Sequence, residues 1–404
     1  MRVASTPCAD LPALERRNKK ENLTMKKVRV VCIAPAKTVR GGISRLIEKI
    51  EHSFPTDIEF QVIPSCSNYI GYDQPLGWNS VRQIVCFVSC LLHVLYRAVV
   101  TRSTIFHVHF SQRGSTLRKG VVCIMLRVLG CRYIIQGHAY EDAIVHTWMP
   151  DVVRSALFWG LRGARQLIAL TPLWRQYYIE KGIAASDGVV VLPNPARSPD
   201  IVPPRKGSDN LEFLFLGRVG TRKGTFDLIS AFAALPLPVR SQCRLTIAGD
   251  GEVDRARSLL VDLGCANRAS VLGWVSGEKV DQLLAEADVL FLPSRAEGMS
   301  MALLEGMAWG LAVVTTSVGG AGVFLVEEHN CIIVQPGDVI GITAAMKRLI
   351  QDRNLRWSIG REARNTARSF GVDQYVKRLA DLYQGLAWGT VSMAPTGLSR
   401  VRAK

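Results

Sequence analysis

The 404-residue chain has no C-x-x-C pair and no zinc pattern. Its ten cysteines are scattered from Cys8 to Cys331, mostly in apolar runs. A disulfide scaffold is thereby excluded, and reduced core thiols in a cytosolic protein are predicted. It has no tandem repeat and no low-complexity tract, which argues against a repeat array. Residues 1–24 carry charges throughout and lack the apolar core of a cleavable signal. The segment 1–25 therefore reads as a disordered extension, with the fold starting near Met25; Met1 and Met25 both stand as translation starts.

Acidic residues are the minority, 34 Asp and Glu against 50 Lys and Arg, for a net charge of +16. The deficit is uneven: residues 1–200 hold 26 basic against 14 acidic residues, a net of +12, and the remainder only +4. A basic first half suits an anionic partner, a phosphate-bearing lipid surface or a nucleic acid, unless it is plain solvated surface. A nucleic-acid binder would interleave basic clusters with aromatics, and only Arg16-Arg17-Asn18-Lys19-Lys20 comes close, so no nucleic-acid partner is expected. The most membrane-like run, Ile84 to Val100, contains His93 and Arg97. At about 17 residues it is short for a spanning helix. A buried helix on the first sheet is predicted, with an interfacial helix as the alternative.

Hydrophobic content of 48% with 21% charged is globular, and the length suffices for two domains. Strand and helix alternate twice over, which predicts an α/β protein with two parallel, doubly wound sheets. Strands are expected at Val28 to Ala34, Glu59 to Ile63, Thr104 to His109, Arg132 to Gln136, Gln166 to Leu170 and Gly188 to Leu192. A second set is expected at Leu211 to Leu216, Cys243 to Ala248, Ala269 to Leu272, Val289 to Leu292, Ala312 to Thr315 and Cys331 to Val334. The Pro- and Ser-rich stretch Pro193 to Asn210 reads as a linker. The predicted division is 26–200, 201–371, a helix at 372–390 crossing back to the first domain, and a tail at 391–404.

Ligands of parallel sheets sit at the carboxyl ends of the strands. The most informative stretch there is Phe291 to Gly320, FLPSRAEGMSMALLEGMAWGLAVVTTSVGG. A buried strand ends at Pro293-Ser294, a loop with Gly298 allows close backbone approach, and a helix begins near Ala302. The first-turn amides form an anion site suited to a diphosphate, with Glu297 on the loop and Glu305 one turn into the helix. Gly41-Gly42 opens the helix after the first strand, and Gly249-Asp250-Gly251 is a turn after another.

Glu297-Gly298 through Glu305, together with Arg218 and Lys223, Leu192-Pro193-Asn194 and Gly41-Gly42, resembles family 4 retaining glycosyltransferases over about residues 28 to 370, in the expected order. The resemblance implies a GT-B fold, two Rossmann-like domains facing a cleft, and transfer of a hexosyl residue from a UDP- or GDP-sugar without a metal or other cofactor. It implies roles as well: Arg218 and Lys223 on the diphosphate, Glu297 on the sugar hydroxyls, Glu305 on the ribose and His138 on the sugar near its primary hydroxyl. Gly42, Gly249, Trp274, Gly298, Met299 and Ser300 would complete the donor site. His138 follows Gly137, whereas the family often places His before the glycine, and Met299-Ser300 stands where relatives often have Phe-Gly. A metal cluster of His107, His109 and His138 is not expected, because carboxylate or thiolate company is missing. Ser115 and its neighbours Gln112 and Arg113 could meet an acceptor phosphate. The expected acceptor is a polyprenyl- or lipid-linked glycan, with an anionic membrane surface as a further partner. The expected location is cytoplasmic, peripheral at the inner face of the cell membrane. A nucleotide-sugar 2-epimerase and a basic non-catalytic binding protein remain the alternatives.

Overall fold

The computed structural model describes residues 27–39, 41–66, 78–111, 114–138, 149–199, 201–202 and 210–389. The expected extension, the tail, the inner part of the linker, Gln112 and Arg113 lie outside these.

Among the described residues twelve strands form two six-stranded sheets. The first comprises β1 (Val28–Ala34), β2 (Ile58–Pro64), β3 (Ile105–Phe110), β4 (Arg132–Gly137), β5 (Gln166–Ala169) and β6 (Val189–Val191), in the order β2-β1-β3-β4-β5-β6. The second comprises β7 (Leu211–Leu216), β8 (Cys243–Ala248), β9 (Ala269–Gly273), β10 (Val289–Leu292), β11 (Ala312–Thr315) and β12 (Ile332–Ile333), in the order β12-β11-β10-β7-β8-β9. Every pairing is parallel. Strands covered on both faces must be apolar on both, and β3, β5, β10 and β11 are buried at every position.

Among the described residues five helices accompany the first sheet: α1 (Gly42–Ile50), α2 (Trp78–Val100), α3 (Gly114–Val128), α4 (Asp151–Arg162) and α5 (Pro172–Glu180). Thr171 caps α5 through the Trp174 amide, with Pro172 at the first position, where its missing N–H costs nothing. α2, α3 and α4 cover the sheet face carrying Val31, Ile63, Phe106 and Val108. α1 covers the opposite face together with the C-terminal helix Val372–Trp388. That last helix is fixed by hydrogen bonds from the Tyr375 hydroxyl to Gln136 Oε1, 3.1 Å, and between Tyr383 and His107 Nδ1, 2.7 Å. Gln384 Nε2 also donates to Asp57 Oδ2, 2.7 Å.

α2 departs from expectation. It begins earlier than the hydropathy pattern suggests and runs for 23 residues, and it is not a buried helix. β2 and α3 take only the side bearing Cys90, Val94 and Ala98; Ile84, Val85, Leu92, Tyr96 and Val99 are each about 60% exposed. β12 is also shorter than expected, two residues instead of four. The described cysteines are free thiols, seven of them buried.

Candidate functional site

Gly217, Gly249 and the Pro293-Ser294 corner follow the carboxyl ends of β7, β8 and β10, so three loops of the second sheet open toward the same place. Opposite them, α1 begins after β1 and His138 follows β4. Between the two sheets lies a cavity of about 780 Å³, lined by the residues expected at a donor: Gly42, His138, Arg218, Lys223, Gly249, Trp274 and the run Glu297, Gly298, Met299, Ser300, with Glu305 behind.

The loop after β10 is held in shape by several contacts. Ser300 caps the helix Met301–Ala308 by accepting from the Leu303 amide, 3.4 Å, which leaves the first amides of that helix directed at the cavity. Trp174 Nε1 on α5 donates to the carbonyls of Gly298, 2.9 Å, and Gly319, 3.0 Å. Asn194 Nδ2 donates to the Met299 carbonyl, 3.1 Å. The first half of the chain thus grips the second half through three backbone oxygens, two in the loop after β10 and one in the turn after β11. Gly319 adopts φ 69°, and a Cβ there would run into the Glu297 carbonyl, so the Gly-Gly turn is a steric requirement of this loop.

The charges are paired. Lys223 Nζ donates to Glu297 Oε1, and Ser294 Oγ donates to the same oxygen, 2.8 Å. Arg222 Nη1 lies 3.9 Å from Glu297 Oε2 and donates to the Ala296 carbonyl, 2.9 Å. Arg218 sits 3.8 Å from Asp250. Lys49 of α1 reaches across and donates to Glu305 Oε1, and the Arg45 guanidinium lies over the Trp274 ring, 5.2 Å from its centroid. The carboxylate expected at a ribose is therefore in contact with a lysine from the other sheet's helix. Nothing in the local sequence around Glu305 announces Lys49, 256 residues away; only its place on the cavity-facing helix after the glycine pair gave a signal.

His138 stands at the head of a buried imidazole row. Its Nε2 is 2.9 Å from His109 Nδ1, and the His109 ring lies 4.1 Å from that of His107, which bonds Tyr383. Burial pushes His138 down to about 3 from 6.5. Burial, helped by the charge of His138, lowers His107 to about 3 as well. His109 is held well below 6.5 by burial first and then by its two neighbours. The row is therefore neutral at pH 7, so His138 offers a hydrogen-bonding nitrogen and no proton to give as an acid. With one hydrogen between His138 Nε2 and His109 Nδ1, the role of His138 Nδ1 is tied to the tautomer of His109. Among the described residues no group of three His, Cys, Asp or Glu is arranged to hold a metal ion.

Comparison with known proteins agrees with this geometry. Residues 198–366 match the family model "Glycosyl transferases group 1". The lipopolysaccharide 1,6-galactosyltransferase of Escherichia coli K12 is 25% identical over 80% of this chain and 89% of its own. The lipopolysaccharide core biosynthesis glycosyltransferase LpsE of Rhizobium meliloti is 32% identical over 41% of this chain and 48% of its own. The chain spans about half the length of LpsE and of two glycosyltransferases of Methanocaldococcus jannaschii that it also matches. Among solved structures, Anabaena HepE in complex with UDP and glucose superposes with a TM-score of 0.69 at 18% identity, covering 88% of this chain and 99% of that one. WaaG, a glycosyltransferase involved in lipopolysaccharide biosynthesis, gives 0.63 at 15% identity, covering 89% and 100%. These likenesses establish the GT-B arrangement of two parallel sheets about a cleft.

Proposed function

We propose, from a chain whose residues 198–366 match the model of the group 1 glycosyl transferases, that the protein is a retaining hexosyltransferase. It would move a sugar from a UDP- or GDP-sugar to a hydroxyl of a lipid-linked glycan in cell-surface polysaccharide synthesis. The observation that carries this reading is the convergence of Arg218, Lys223, Glu297 and the amino end of the helix Met301–Ala308 on one cavity. The match to a lipopolysaccharide galactosyltransferase over most of both chains supports the acceptor class.

In this reading the diphosphate lies against the helix amides with Arg218 and Lys223 beside it. As the sugar–oxygen bond breaks, charge grows on the leaving phosphate, and fixed cations stabilise that state more than the bound donor. They stand in for a divalent metal. Glu297, oriented by Ser294, exchanges Lys223 for the sugar hydroxyls, and Glu305 exchanges Lys49 for the ribose. The acceptor hydroxyl enters from the first-sheet side, on the face the diphosphate leaves, and a phosphate oxygen takes its proton. Neutral His138 positions the sugar by hydrogen bonding. The location that fits such an acceptor is the inner face of the cell membrane.

Calorimetric titration with UDP- and GDP-sugars, beside Glu305→Ala, tests the proposal. One nucleotide series should bind, and the variant should lose about tenfold or more of that affinity, the loss expected for a charged hydrogen-bond partner. A folded protein that binds neither series would overturn it.

A further inference from the structure

α2, α3 and α4 form the outer layer on one face of the first sheet. α2 alone exposes nine large apolar side chains, among them Ile84, Val85, Val88, Leu92, Tyr96 and Val99. These recur every three or four residues and so make one continuous stripe. The neighbouring helices add Val121, Val128, Val152, Val153 and Trp159 to the exposed apolar set. The stretch Val81–Val100 is long and apolar enough to cross a membrane by length and composition. However, its inner side is sealed against β2 and α3, so it lies along the protein. An exposed apolar surface of this extent marks an interaction site.

Two observations identify what covers it. The first is charge: leaving out the buried Lys119, the three helices carry six arginines at least partly exposed against one acid, Asp151, which is already paired with Arg154. A second copy docking by the same face would set like charge against like, whereas anionic headgroups complement it. Tyr96 and Trp159 are exposed, the latter under the Arg127 guanidinium at 4.2 Å, and amphipathic aromatics favour the boundary of water and lipid. The second observation is continuity. Gln83 and Ile84 at the start of α2, and Ser115 and Arg118 of α3, line the cavity between the sheets, so the apolar stripe begins at the cavity wall.

We infer that the outer face of α2, α3 and α4 docks on an anionic lipid bilayer and holds the cavity beside it, so that an acceptor anchored in the bilayer presents its glycan to the site. This builds on the lipid-linked acceptor proposed above and assigns the surface that delivers it.

The test is flotation of the full chain with phosphatidylcholine vesicles and with vesicles that also contain phosphatidylglycerol, alongside calorimetry with UDP and GDP on the same samples. The wild type should float with the anionic vesicles, more weakly with the neutral ones, and less as salt is raised. The double variant Val88→Glu/Leu92→Glu, at exposed positions, should lose about tenfold or more of that binding while keeping nucleotide affinity and its melting midpoint. Arg82→Glu gives a second, milder loss by charge alone. Nucleotide-binding wild type that does not float overturns the inference, as does a double variant that floats equally well. A dimer that the double variant dissolves, without vesicle binding, also overturns it in favour of self-association. Flotation without binding of either nucleotide would leave the docking face standing and remove the transferase reading.

Discussion

Lys223→Met keeps the unbranched apolar stem of the side chain and removes its charged end, which separates a cation that binds donor from one that stabilises the departing phosphate. The folded protein should tolerate it. Glu297 loses Lys223 but retains the Ser294 hydroxyl at 2.8 Å and Arg222 at 3.9 Å, so the cost in stability is about 1 kcal/mol. Catalysis should suffer more. At about 4 Å and an effective dielectric near 20, one unit charge acts on another with about 4 kcal/mol, part of which Arg218 and solvent replace. The remainder, about 2.7 kcal/mol, corresponds to a loss of about 10²-fold in kcat. UDP or GDP affinity should fall only about tenfold, because the bound diphosphate keeps Arg218 and the helix amides. Initial rates with a radiolabelled donor, together with calorimetric Kd values, give the two losses separately, and Lys223→Arg should restore part of the rate. Equal losses in kcat and nucleotide affinity, or a rate within about threefold of wild type, would refute the role given to Lys223.

The imidazole row makes stability depend on pH in one direction. His107 and His138 fall from 6.5 to about 3 in the folded state, so the unfolded chain binds more protons between those limits; the melting midpoint should decline as pH drops below 6.5, less steeply in His107→Phe by differential scanning calorimetry. Lys119 is buried with Ser65 as its hydrogen-bond partner, and burial lowers it to about 8 from 10.5; Lys119→Met should raise stability at pH 7 by about 2 to 3 kcal/mol in urea denaturation, since Ser65 keeps its bond to the Ala34 carbonyl and the charge penalty disappears. In the wild type stability should rise from pH 8 toward 10.5, and the variant should lack that rise. Trp174→Phe removes both indole hydrogen bonds from the Gly298 and Gly319 carbonyls and should weaken nucleotide-sugar binding by about tenfold in calorimetry, the loop being less well held.

Strands were legible because both-face burial turns each into a short apolar run bounded by turn residues; β1, β7, β8, β10 and β11 have the limits the composition suggests. The site was legible where its parts are local in sequence, as in the Glu297 loop and the Arg218 to Lys223 turn. Trp174 and Lys49 were not, because each acts on a partner 124 to 256 residues away and carries no special spacing of its own; Asn194 stood out as part of the Leu192-Pro193-Asn194 turn, but its bond to the Met299 carbonyl did not. The exposure of α2 was missed for a different reason. Hydropathy measures what a side chain prefers, and a helix apolar on nearly every side reads the same whether its outer half faces protein, lipid or water.

The C-terminal helix Val372–Trp388 supplies Tyr375, Val376, Leu379 and Tyr383 to the packed layer on β1 and β3. Part of one face of the first sheet, the part that the helix Gly42–Ile50 does not cover, therefore stays open while the ribosome synthesises the 197 residues from Leu192 to Trp388, although its strands emerge first. The second sheet, whose strands end at Ile333, can close before the first is finished, reversing the usual order in which the amino-terminal domain matures ahead of the next. Until residue 388 is released, the nascent chain presents an open apolar sheet face, which makes the early half a client for chaperones during synthesis.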